Sequence, residues 1–104
     1  MIRHIVLVTF KPEVAERDIA TLFSGLSGLV RSLDGAGGFM GGRSESPEQM
    51  ERGYSHAFVI DFDDWAALTR YSDHPEHRAL GAKIVENAVG GRDGILVLDL
   101  DIPA

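Results

Sequence analysis

Histidine and tyrosine are the side chains here that could move protons near neutral pH, and they are concentrated. Residues 53–80, GYSHAFVIDFDDWAALTRYSDHPEHRAL, hold three of the four histidines, both tyrosines and the only tryptophan. The fourth histidine, His4, lies near the start of the chain. An imidazole titrates close to neutrality and can take and return a proton. A phenol can donate to the oxyanion that develops when a neighbouring C–H is deprotonated. His77, Tyr71 and His4 are therefore the candidate catalytic set, with His77 as base, Tyr71 as donor and His4 as the residue that orients His77. His56 is a fourth candidate, set apart by position. The competing reading is structural: a histidine beside a tyrosine in a small core can simply be a satisfied polar pair.

A metal is a second possible use of the same segment. His74 and His77, with Asp73 or Glu76, would supply three ligands. However, His77 falls on the inward face of its helix, and His74 precedes Pro75, which biases it out of the helix. No metal site is expected, and no cofactor. Asp73 reads as a helix cap, Trp65 and Leu68 as core, and Asp99 and Asp101 as a solvated rim able at most to hold a cation.

The elements that must position these residues follow from hydrophobic period. Ile2 to Phe10 alternates as a strand, with Ile2, His4, Val6, Val8 and Phe10 on one face, and Lys11-Pro12 ends it. Ile19, Leu22, Phe23, Leu26, Leu29, Val30 and Leu33 give the stripe of an amphipathic helix over residues 14–33. Gly25 and Gly28 lie within it and read as close packing or slack. Gly35 to Gly38 breaks the helix, and a short strand is predicted over residues 39–44. Tyr54 to Phe62 is the clearest strand, with His56, Phe58, Ile60 and Phe62 on one face. Asp63-Asp64 caps a helix over residues 65–72, and a second runs from Pro75 to Ala88 until Gly90-Gly91. A last strand covers residues 94–102, with Leu96, Leu98, Leu100 and Ile102 on one face.

The order β-α-β-β-α-β, with the second helix broken at His74-Pro75, predicts an α+β, ferredoxin-like fold with a four-stranded antiparallel sheet. In that topology the third strand runs antiparallel to the first. The second helix then starts beside the beginning of the first strand. His4, Tyr71 and His77 should cluster there, with His56 some four residues further along, about 13 Å away. Ile5 and Leu7, Ala57 and Val59, and Ile95 and Val97 lie opposite other apolar rows, so both sheet faces are apolar. Helices can cover only one face. A second copy is the simplest cover for the other, which predicts a homodimer.

Residues 1–104 read as one domain. Formal net charge is −6, with no basic cluster, so no nucleic-acid partner is expected. No apolar run is long enough to cross a membrane, and the alternating N-terminus does not read as a signal peptide. The absence of cysteine excludes thiol chemistry and fits a cytoplasmic location.

IRHIVLVTFK, GYSHAFVIDF and YSDHPEHRAL together resemble the stress-responsive dimeric α/β-barrel (Dabb) family over nearly the whole length, the His-Pro-x-His element being the most specific part. The resemblance implies a homodimer in which two sheets face each other as a barrel. Most members have no assigned chemistry. One, a plant polyketide cyclase, performs an intramolecular aldol condensation in a pocket between sheet and helices. Its functional residues would fall on His4, His56, Tyr71 and His77, all of matching type here, with Leu22, Phe23 and Leu26 lining the pocket. Three functions follow as expectations: cyclase- or lyase-like chemistry on a small carbonyl or polyketide-like compound, noncatalytic binding of a hydrophobic ligand in a stress-related dimer, or a small dimeric-barrel monooxygenase. In the last of these, haem would need an axial ligand such as His77.

Overall fold

A computed structural model describes residues 1–103. The elements are β1 (Ile2–Val8), α1 (Glu16–Ser32), β2 (Ala36–Arg43), β3 (His56–Phe62), α2 (Trp65–Asp73), α3 (Pro75–Asn87) and β4 (Ile95–Asp101), with a three-ten turn (Gly91–Gly94) before β4. The strands form one antiparallel sheet in the order β2-β3-β1-β4, the ferredoxin-like arrangement.

The apolar stripe of α1 is buried as expected, from Ile19 to Val30. Gly25 marks its approach to α3, because a Cβ there would stand 3.0 Å from the Leu80 side chain. Gly28 faces open space. The helix begins at Glu16 rather than Val14, because residues 11–14 close a turn in which the Val14 amide donates to the Lys11 carbonyl. Strand β2 begins at Ala36, three residues earlier than the sequence suggests. Of the glycines read there as a break, Gly35 (φ +80°) forms the turn before the strand, while Gly37 and Gly38 lie inside it, where left-handed Gly38 (φ +64°) and a register shift between Gly37 and Met40 absorb the irregularity.

Asp64 caps α2, accepting the Ala67 amide at 2.8 Å. Asp73 is not the cap of α3. It is the last residue of α2, and His74, held extended before Pro75, caps α3 by accepting the Glu76 amide on Nδ1 at 3.1 Å. Trp65 is not core either. It opens α2 off the buried Ala67–Tyr71 line and is 52% exposed, whereas Leu68 packs against the core.

On the central strands the inward residues are buried without exception: Ile2, His4, Val6 and Val8 on β1, and His56, Phe58, Ile60 and Phe62 on β3. Strand β4 differs, since Val97 on the helix side and Leu98 on the other are equally exposed. The helices therefore cover the central strands and not the whole face. On the opposite surface Ile5 and Leu7 pair with Val59 and Ala57, and with Leu98 and Leu96, to make a continuous apolar band under no helix. No helix among the described residues is long and apolar enough to cross a membrane.

Candidate functional site

Register decides which histidines meet. His4 lies opposite Ile60 on β3, near the strand's end, where the chain turns into α2. Tyr71 in the last turns of α2 and His77 in the first turn of α3 flank the single non-helical residue His74. The Tyr71 and His77 rings are 4.4 Å apart between centroids, and the His4 and Tyr71 rings 5.9 Å. All three line one cavity of about 510 Å³, within the size range of small-molecule sites. Leu26, Phe58, Ile84 and Val97 form its apolar wall. Of the α1 residues expected there, only Leu26 reaches the cavity, while Leu22 and Phe23 pack elsewhere in the core.

Hydrogen bonds fix the two imidazoles. The His77 Nδ1 stands 3.0 Å from the Ser72 carbonyl oxygen, which can only accept, so Nδ1 carries the proton. In the neutral ring Nε2 is then the basic nitrogen. Burial lowers the His77 pKa from 6.5, partly opposed by the Ser72 bond and reinforced by nearby His4. The ring is therefore neutral at pH 7. His4 Nδ1 donates to Asp99 Oδ1 at 2.7 Å, which sets its tautomer and orientation. His4 makes no recorded hydrogen bond to His77, so any effect of one on the other passes through space or through Tyr71.

Tyr71 is 1% exposed, and its hydroxyl has no hydrogen-bond partner among the described residues. Among the described residues it is the one buried side-chain polar atom without a partner. Burial also raises its pKa well above the usual phenol range, so it stays protonated and remains a donor. A buried donor without an acceptor costs about 1–3 kcal/mol. A ligand oxygen would recover that cost once a shift of the surrounding side chains opens the hydroxyl to the cavity.

His56 is excluded from this group. Its Nε2 donates to both Glu16 carboxylate oxygens at 3.0 Å, and its ring packs edge-on against Phe10. It does not line the His77 cavity. Three contributors were absent from the sequence reading. Asp99, taken for a solvated rim residue, holds His4. The signal was present, because Leu96, Leu98 and Leu100 facing outward force Asp99 onto the side that His4 occupies. Arg78 and Arg92 also line the cavity, and no pattern in the chain announces that. Among the described residues no three His, Asp or Glu side chains are grouped closely enough to hold a metal ion.

The sequence profile of the Stress responsive A/B Barrel Domain matches residues 2–102. The stress-response A/B barrel domain-containing protein HS1 of Arabidopsis thaliana is 30% identical over 98 residues, covering 94% of this chain and 86% of that protein. Olivetolic acid cyclase of Cannabis sativa is 24% identical over 80 residues, 77% of this chain and 79% of the cyclase. Among solved structures, a dimeric ferredoxin-like protein of unknown function from Jannaschia sp. CCS1 superposes with a TM-score of 0.90 at 35% identity, covering 97% of this chain and 98% of that one.

Proposed function

The chain belongs to the stress-responsive A/B barrel domain family, and we propose that it is a homodimer whose His4–Tyr71–His77 cavity binds a small carbonyl compound and moves a proton next to that carbonyl. The observation that carries this reading is the unpartnered Tyr71 hydroxyl, fully buried beside a neutral imidazole in a cavity of ligand size. In the proposed step His77 Nε2 takes the proton from the α-carbon, the C–H electron pair becomes the enolate, and Tyr71 donates to its oxygen. Asp99 holds His4 in place as a positioning partner. Return of the proton from His77 restores the carbonyl. Attack of the enolate carbon on a second carbonyl of the same molecule would instead form a C–C bond and close a ring, the resulting alkoxide taking the proton from His77, the chemistry suggested by likeness to the plant cyclase.

The homodimer rests on the uncovered band of Ile5, Leu7, Leu96 and Leu98, and on likeness to a solved protein described as dimeric. Sedimentation equilibrium should give twice the chain mass, and Leu98→Glu should give a single subunit.

A noncatalytic ligand-binding role is the second reading, favoured by the fact that both cavity histidines already have protein partners. One experiment separates the two. Benzylacetone in heavy water is followed by proton NMR for loss of its α-proton signals. Acid–base chemistry predicts exchange by the wild type and its loss in His77→Ala. Binding without exchange, with His77→Ala affecting stability only, would leave the noncatalytic role.

A further inference from the structure

The charge on the cavity wall is opposite to that of the molecule. The chain carries 16 acidic residues against 10 Lys and Arg. The cavity wall nevertheless includes Arg78 and Arg92 and no Asp or Glu. Arg92 makes no ion pair among the described residues. Arg78 has one, to Asp73 at 3.8 Å, with both side chains more than two-thirds exposed, a weak and screened contact. Asp99, which holds His4, makes no ion pair with either arginine. Asp93 follows Arg92 in the chain but does not line the cavity. Two arginines thus border a space whose remaining wall is mostly apolar apart from His4, His77 and Tyr71.

Guanidinium presents a planar fork of donors matched to a carboxylate, and it is less strongly hydrated than an ammonium. We infer that the ligand is an amphipathic carboxylate, its apolar body against Leu26, Phe58 and Ile84 and its charged head at Arg78 and Arg92. This deepens the proposed function and rests on its reading of the cavity as a ligand site. In that reading the substrate is an acid that also carries a carbonyl, oriented by the arginines so that the carbonyl meets Tyr71. The arginines favour the acid over a neutral ketone of the same body, which still reaches Tyr71 and His77 and still exchanges its α-protons.

The test compares phenylbutyrate with phenylbutanol, matched in apolar body and differing in charge, by isothermal titration against the full chain at low salt. The acid should bind at least about tenfold more tightly, a preference that narrows as salt rises. The Arg78→Gln/Arg92→Gln double variant should lose that preference and keep its affinity for the alcohol. Both positions are exposed, so the variant should fold. Equal affinity for acid and alcohol, failure of both to bind, or a preference that survives the double substitution would overturn the inference. Benzylacetone exchange separates the two proposals. Exchange without an acid preference removes the charged ligand and keeps the proton chemistry, whereas an acid preference without exchange does the reverse.

Discussion

His4 and His56 are both inward residues of the central strands, one near each end of the β1–β3 register. His4 lies opposite Ile60 and His56 opposite Val8. Each is less than a tenth exposed, and each donates to a carboxylate, Asp99 or Glu16. They differ in what packs over them. Over His4 the joint between α2 and α3 brings a phenol without a partner, a second imidazole and open space. Over His56 the start of α1 brings Glu16, Phe10 packs edge-on, and the clefts that reach the ring hold no unpartnered buried donor among the described residues. A buried histidine–carboxylate pair is thus no mark of a site in this molecule. What sets the His4 end apart is the unpartnered donor beside it.

The sharpest way to break the comparison is to remove one histidine at a time. His77→Ala should slow benzylacetone exchange by about 100-fold, within the usual range for a general base, and His56→Ala should leave it within about twofold. Equal losses would mean that the two ends are not functionally distinct.

The next effect lies in stability. Glu16→Ala leaves the buried His56 N–H without its acceptor and should cost about 1–2 kcal/mol in urea unfolding, with ligand binding unchanged. Asp99→Ala should cost a similar amount and also slow exchange, because His4 loses its anchor. If Asp99→Ala leaves exchange untouched, His4 is a core residue like His56.

Tyr71→Phe should have the opposite sign. Removing a buried hydroxyl that has no partner should stabilise the unliganded protein by up to about 1 kcal/mol while weakening exchange. A marked loss of stability would show that the hydroxyl is already satisfied, and the contrast with His56 would fail.

The smallest effect is with pH. The folded His77 pKa lies below the ordinary 6.5, so between those two values the unfolded chain binds the extra proton. Stability should therefore rise with pH through that window and level off above 6.5, and His77→Gln should flatten the slope. Exchange should switch on with a midpoint below 6.5 for the same reason, because the neutral ring is the base.

Much of this was legible in the chain. The alternation of β1 and β3 and the turn chemistry of α2 placed His4, Tyr71 and His77 together and His56 apart. The rest depended on tertiary detail. Residue 73 is helical and residue 74 extended, so the cap moved by one position, which propensity alone does not resolve. Phe23 packs close over Gly41, where a Cβ would stand 2.9 Å from the Phe58 Cβ, a strand approach that no single-chain period reveals. Arg78 and Arg92 reach the same wall from α3 and from the turn before β4, a meeting set by helix packing.

The joint at His74 also sets where the chain can change length. Tyr71 and His77 are spaced by one non-helical residue whose backbone N–H bonds the Tyr71 carbonyl and whose own carbonyl accepts from Arg78. An inserted residue there would lengthen an extended joint, break the bond from the His74 amide to the Tyr71 carbonyl, and move the imidazole away from the phenol. At the other end of the molecule, residues 45–54 link β2 to β3 as a surface loop, its ends held by the Ser44 amide on the Ser55 carbonyl. Lengthening that loop adds little closure entropy and moves nothing at the cavity. Indels should therefore be tolerated between edge strand β2 and β3 and rejected at the corner between the helices.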